Sequence, residues 1–475
     1  MRGKASSAQI IPFARSGEIL YRKGCESIER NNYIDGVLFF RRAIEKDPMN
    51  EDFNLALAEI YTEMNYFDES NRILFEILRN SEELITDCFF GMGCNFLGLK
   101  EYQRARDSFA TYLEFDPQGE YVEDVEEMLF FLEIENKWEI SSEGLPEEVL
   151  EVAGKGKEYL DAADFTNAIN IFEELHSDHP SLVFVRNNLS LAYFCTKQMD
   201  KACEICRDIL RETPDNIHAN CNYALFLQEI GDERGVAQQI NTLSTLLDTA
   251  DPDDIDDMHK IALTFCELSQ HSLANEALYV LLQYQPFDKR IIHLLAATHF
   301  NLNEYEKAEK LWETIVKLCP SDTIAPYYRE IAGNAAKQPL DAVKPLHYNY
   351  QLPYTEVINR IRRLHEALKL NADDLRALWE TDEQFRQLIC WCLDFNDGLI
   401  KRAVINNLSL FQDDFARTLL KNFILKRTEK YEYKCDAISA LKRMGAPQPY
   451  LAYIDDDIVE VRVEPKRNAH KNIEE

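Results

Sequence analysis

Residues 289–322 read KRIIHLLAATHFNLNEYEKAEKLWETIVKLCPSD, thirty-four residues with Pro320 near the end. Ala296 and His299 fall three apart, and Tyr305, Ala308 and Trp312 follow at spacings of three and four. Such spacing puts small and large apolar groups on one face of a helix. Proline at the end stops one helix and starts the next, because it has no amide hydrogen to donate to a helix interior. The stretch therefore predicts two short antiparallel helices with a seam of small and aromatic residues between them.

The same frame recurs outward from it. Prolines stand at 48, 117, 180, 214, 286 and 320, and two of the gaps equal 34. Twelve residues before each proline lies Gly36, Ala105, Ala168, Ala202, Ala274 or Ala308. Eight before lies Phe40, Phe109, Phe172, Cys206, Leu278 or Trp312, and twenty-four before lies Gly24, Gly93, Gly156, Ser190, Ala262 or Ala296. Good copies begin at 17, 86, 149, 183, 255 and 289. A copy at 51–84 keeps Leu57, Ala58, Tyr61, Phe67 and Leu74 but has Glu82 in place of the proline, and a copy at 217–254 keeps Tyr223, Ala224 and Leu227. No single pair buries its own apolar face, so the pairs must stack.

This pattern resembles the tetratricopeptide repeat family over about two-thirds of the chain. The resemblance implies an all-α, right-handed α-solenoid. Residues 1–119 are expected to hold three repeats, 120–148 an acidic helical insertion, and 149–336 five repeats with a capping helix. Residues 337–353, with Pro339, Pro345 and Pro353 around Tyr348 and Tyr350, read as an extended linker wrapping the surface. Residues 354–465 read as a smaller helical module, weakly HEAT-like, with helices at 354–370, 381–394, 397–409, 411–427 and 431–444. It ends in a β-hairpin, since Leu451 and Tyr453, then Val459, Val461 and Val463, alternate with their neighbours around Asp455, Asp456 and Asp457. Residues 466–475 are expected to be a flexible tail.

Composition narrows the function. The chain has 475 residues, with 52 Lys and Arg against 83 Asp and Glu, a formal charge of −31. That balance argues against a general nucleic-acid binder and favours basic or neutral partners. The N-terminal apolar stretch is too short for a secretory signal, and no run is long enough for a membrane span. Twelve scattered cysteines suit a reducing cytoplasm, and we expect a cytoplasmic, bacterial protein. Cys203-x-x-Cys206 lies within a helix, and Cys390 and Cys392 flank Trp391, so all four read as packing residues. Phosphate loops, dinucleotide fingerprints, nucleophile elbows and zincin motifs are absent from the sequence. We therefore expect a non-enzymatic scaffold or adaptor with no cofactor and no metal.

The first helix of each pair should line the hollow side of the stack. Its inward positions include Tyr21, Leu55 and Phe90 in the first block, then Phe184, Asn187, Leu191, His218, Cys221, Asn222, His259, His293 and Phe300. Asn187 and Asn222 can hydrogen-bond a peptide backbone, and the apolar members can take side chains of an extended or helical segment of a partner protein. His218, His259 and His293 come from adjacent repeats, but coincident half-buried histidines explain them better than a metal site does. The Lys and Asn of a carboxylate clamp are missing, since the matching positions are Tyr21 and Cys25, and Ala153 and Lys157. The competing reading is nucleic-acid binding through residues 401–443, where ten Lys or Arg face five acids. A pheromone-sensing regulator would need an N-terminal helix-turn-helix, for which the first sixteen residues are too few.

Overall fold

The computed structural model describes residues 15–81, 85–138, 147–249, 255–339, 342–455 and 457–463. It divides into two compact units, one of 1–320 with 328–350 and one of 321–327 with 351–475. The expected tail at 466–475, Glu82, and Asp251 to Asp254 lie outside the described residues.

The first unit is a stack of helix pairs in the predicted frame. The first block is α1 (Arg15–Ile28) with α2 (Tyr33–Ile44), α3 (Glu51–Glu63) with α4 (Phe67–Asn80), and α5 (Asp87–Gly98) with α6 (Tyr102–Phe115). Then comes α7 (Val122–Trp138), whose Val125 and Leu132 are buried while Phe130 and Phe131 are exposed. The second block is α8 (Glu147–Asp161) with α9 (Phe165–Asp178), α10 (Val183–Cys195) with α11 (Met199–Glu212), and α12 (Ile217–Glu229) with α13 (Glu233–Thr249). It continues with α14 (Ile255–Glu267) and α15 (His271–Tyr284), α16 (Lys289–Asn301) and α17 (Tyr305–Leu318), and then α18 (Ala325–Ala335), which belongs to this unit from Tyr328 onward. Both degenerate copies form complete helix pairs.

Two local devices shape every pair. The first is the turn between its helices. The fifteenth residue of the frame is left-handed in all eight copies: Asn31, Asn65, Lys100, Ala163, Lys197, Gly231, Ser269 and Asn303, with φ between 54° and 78°. The amide after it reaches back to the last turn of the first helix, as in Asp164 N–H to Tyr159 O at 2.8 Å and Glu304 N–H to His299 O at 2.8 Å. This is a Schellman cap, which favours glycine or asparagine. Alanine at φ 59° pays a steric cost that glycine does not. Ala163→Gly is therefore expected to raise stability by about 0.5–1 kcal/mol. A urea midpoint that stays put or falls would contradict this turn geometry.

The second device is close approach within the pair. A Cβ on Gly24, Gly93 or Gly156 would lie 2.4, 2.3 or 2.8 Å from the ring of Phe40, Phe109 or Phe172. Glycine thus stands where the partner helix offers phenylalanine. At the same two frame positions the other copies carry Ser190 with Cys206, Ala262 with Leu278 and Ala296 with Trp312.

The first unit also closes on itself. Arg41 on α2 donates to the carbonyls of Lys317 (2.8 Å) and Leu318 (2.7 Å), the last residues of α17, and its guanidinium also bonds the Tyr61 hydroxyl. A cation here complements the negative end of the helix dipole. Tyr66 donates to Phe287 O at 2.8 Å, and the rings of Tyr33 and Phe287 lie 5.3 Å apart. The early repeats are thereby joined to the last two.

The second unit comprises α19 (Tyr354–Ala367), α20 (Ala372–Thr381), α21 (Glu383–Asp394), α22 (Gly398–Leu408), α23 (Asp414–Ile424) and α24 (Tyr431–Arg443). Its core gathers Trp379, Phe385, Trp391, Ile405, Phe423, Leu441 and Tyr450. The hairpin pairs β1 (Tyr450–Ile454) with β2 (Asp457–Val461), antiparallel, with Tyr450 opposite Val461. Tyr450, Ala452 and Tyr453 are its buried residues, whereas Leu451 is only half-buried. Lys434 holds the strand to α24 by donating to Tyr453 O at 2.6 Å. Such tethering is needed because an isolated hairpin is marginal in water.

Candidate functional site

The inward stripe begins in the first block with Tyr21, half-buried and stacked on Phe53 at 5.1 Å. Two repeats on, Phe90 lies flat against Tyr121, with centroids 4.2 Å apart and planes 3° apart. Tyr121 comes from the chain after the third repeat, so the protein covers part of this face itself. Burial raises the pKa of both phenols. Cys25, Asp52 and Glu59 add to the rise at Tyr21, and Asp87, Glu120 and Glu59 add to it at Tyr121. Burial and then Glu63 raise Glu59, while burial and then Asp116 and Glu120 raise Asp87. Acids crowded in this way around Glu59 and Asp87 mark a negative surface.

In the second block Phe184 and Leu191 are half-buried, His218 is exposed, and His259 is half-buried. His218 Nε2 lies 3.5 Å from Asp257 Oδ1, an acid in the first turn of α14. Asn187, Cys221 and Asn222 sit deeper than an exposed stripe requires, at 9%, 0% and 4% exposure. Asn187 Nδ2 donates to Asn216 Oδ1 at 3.3 Å, which helps to set the cap of α12, and Asn222 Nδ2 lies 3.5 Å from Asn187 O. The Oδ1 atoms of Asn187 and Asn222 are buried without a hydrogen-bond partner. Unpaired buried acceptors are uncommon and costly.

The final two repeats differ from expectation. His293 and Phe300 are buried, at 0% and 2% exposure, and offer no free surface. His293 accepts from Trp312 Nε1 at 3.0 Å and packs edge-on against Tyr328 and Tyr350. Phe300 packs on Tyr305 and Trp312. The segment 346–350 crosses this face as a strap, with Leu346, Tyr348 and Tyr350 half-buried and His347 and Asn349 exposed. Asn301 grips its backbone at two points: Leu346 N–H donates to Oδ1 at 2.7 Å, and Nδ2 donates to Leu346 O at 3.0 Å. The Tyr348 hydroxyl lies 2.6 Å from His271 Nδ1. Burial raises the phenol's pKa, which keeps it protonated. Lys289 lies 5.9 Å from the Tyr350 ring centroid. The sequence reads this linker as an extended segment wrapping the surface, and the structure adds the particular seat, against Asn301, His271 and His293. The one available signal was the alternation of Leu346, Tyr348 and Tyr350 itself.

Other candidate chemistry resolves as packing. Cys203 and Cys206 are buried in α11, and burial pushes the Cys206 thiol up to about 12. Cys390 and Cys392 are raised to about 11 and about 12, again chiefly by burial. Thiols in that range are poor nucleophiles near neutrality. Among the described residues, no three His, Cys, Asp or Glu side chains are grouped to hold a metal ion. Likewise, no described helix is long and apolar enough to cross a membrane.

The basic stretch of the second unit is largely engaged internally. Lys401 pairs with Glu429, Lys426 with Asp394, Arg417 with Asp414 at 2.7 Å, and Arg402 with Glu432 at 2.7 Å. Lys442 donates to Val463 O at 3.2 Å, Arg443 bonds Asn406 Oδ1 at 3.2 Å, and Arg427 stacks over Tyr453. These contacts offset part of the basic charge of the stretch.

No family model matches the chain. It is similar to the TPR repeat-containing protein YvcD of Bacillus subtilis (strain 168), 25% identical over 389 residues that span 80% of each protein. The array is built of tetratricopeptide repeats. A second relative is General transcription factor 3C polypeptide 3 of Homo sapiens, 24% identical over 222 residues, or 40% of this chain and 25% of that one. Among solved structures the chain is similar to yeast Tom70, at 15% identity over 91% of this chain and 96% of that one, with a TM-score of 0.32. That score supports no residue-level comparison. The tetratricopeptide assignment rests on the eight helix pairs and their frame, together with the YvcD likeness.

Proposed function

We propose that this chain is a non-enzymatic, cytoplasmic bacterial scaffold that takes a segment of another protein on the inner face of its repeats. The observation that carries the reading is the run of partly open side chains on the first helices of neighbouring repeats: Phe184, Leu191 and His259 are half-buried and His218 is exposed. The apolar pair offers contact to a partner's side chains, and the imidazoles can hydrogen-bond an extended backbone. Asn187 and Asn222 lie too deep to be reached directly. The Asn301 grip on Leu346 supports the chemistry, because there an asparagine of this array already holds an extended backbone. The negative face near Tyr21 and Tyr121 suits a segment that carries lysine or arginine.

A photo-crosslinking residue placed at Phe184 or Leu191 is expected to capture one partner segment from the native host. The same residue at Tyr279, exposed on the second helix of its pair, is expected to capture none of it. Replacing His218 and His259 with Ala should cut the yield while leaving the melting temperature near that of the parent. Equal capture at 184, 191 and 279, or an undiminished yield in the double variant, would place the function elsewhere.

A further inference from the structure

We propose that residues 346–350 act as a built-in ligand of the last two repeats, occupying a peptide site that a partner segment of like chemistry enters by displacing them. The chemistry is read from the occupant: an extended segment with an apolar or aromatic side chain at every second position. Leu346, Tyr348 and Tyr350 point inward, and His347 and Asn349 point outward. The seat is built from the repeats themselves. Asn301 supplies both an acceptor and a donor to one backbone residue, the two-point pattern that a neighbouring strand would supply in a sheet. It reads backbone and not side chain, so it does not require this particular sequence. His271 receives the Tyr348 hydroxyl, and Tyr348 joins the apolar cluster around Phe265 and Leu278. His293 and Lys289 frame Tyr350.

The strap is a poor fit for a purely structural role. It contributes two aromatic side chains and one backbone clamp, and its alternate residues remain in water. Fully buried residues of these repeats, Phe265, Leu278, Leu295 and Trp312, all come from the helices, and Tyr348 packs on the cluster of the first three only as a half-buried neighbour. A tethered segment competes at an effective concentration of about a millimolar. It therefore masks the site from weak ligands and yields to strong ones.

The proposal deepens the groove reading above, but its test uses only this chain's own sequence and does not depend on finding a partner. The probe is a fluorescein-labelled peptide of residues 342–352, titrated into the full chain by anisotropy. In the strap variant Leu346→Ser/Tyr348→Ser/Tyr350→Ser, the emptied seat should bind the peptide roughly tenfold more tightly than the parent does. Adding Asn301→Ala to that variant should remove the gain. Equal affinity in parent and strap variant, or a gain that survives Asn301→Ala, overturns the proposal. If the strap variant does not fold, hydrogen exchange on the parent decides. Excess unlabelled peptide should speed exchange of the Leu346 amide while the amides of α16 stay protected, and an unchanged Leu346 rate overturns the proposal.

Discussion

Trp312→Ala should cost the first unit about 3–5 kcal/mol, the range for deleting a buried large aromatic. Trp312 is fully buried on α17, where its ring stacks on Tyr328 at 5.4 Å and tilts against Phe300 at 6.2 Å. Its Nε1–H donates to His293 Nδ1, in a side chain with no exposed surface. Two losses therefore combine: a cavity between three helices, and a buried imidazole stripped of its donor. Trp312→Phe separates them, since it keeps most of the ring and loses the N–H. It should cost about 1–3 kcal/mol, the penalty for leaving a buried acceptor unsatisfied. Urea unfolding, read by hydrogen exchange in α16 to α18, measures both. A Trp312→Ala loss below about 1 kcal/mol, the scale of a surface substitution, would mean that the last repeat is not packed around this indole.

Glu429→Ala should cost the second unit a similar amount, about 3–5 kcal/mol, for a different reason. Lys401 and Glu429 form an ion pair with side-chain exposures of 8% and 7%. Lys401 also lies over the rings of Phe423 and Tyr433, at 5.9 Å from each centroid. Lys434 is nearby and buried; burial lowers its pKa, and Glu429 works against that fall. Removing the carboxylate strands the Lys401 ammonium away from water and takes a favourable charge from Lys434, which keeps its bond to Tyr453 O. Replacing both members, as Lys401→Met/Glu429→Leu, should restore most of the loss, because apolar pairs of similar volume often match buried ion pairs. The single variant's loss should also be nearly insensitive to salt, unlike that of a surface pair. A single-variant cost below about 1 kcal/mol would make the pair an ordinary exposed one.

Much of this architecture can be read from the sequence because the repeat writes the same constraint many times. Gly93 faces Phe109 as Gly24 faces Phe40, so six copies reveal a contact that one copy would hide. The left-handed fifteenth residue is legible after the fact, since asparagine, glycine and serine hold five of its eight positions. Among features that occur once, the hairpin is legible by its alternation, but others are not. The helix at 372–381 was missed, although Asn371 caps it, Asp373 and Asp374 charge its first turn, and Trp379 anchors it. The inward stripe gave the facing of Asn187 and Asn222, but not their depth, which depends on how tightly neighbouring pairs approach. The frame says which residues look toward the hollow side. It cannot say that residues 346–350 of the same chain will lie there, because a contact between Asn301 and Leu346 leaves no period.

The junction of Arg41 with the last carbonyls of α17 bears on how the repeats come apart. An open row of repeats frays from its ends, since each outermost unit has one neighbour and the rest have two. Here the early and late repeats hold each other through Arg41, Tyr33 and Tyr66. Loosening the last pair must also release the first, and neither can peel away alone. Melting then starts from the interior or happens all at once, and a cut in either flank weakens the opposite one.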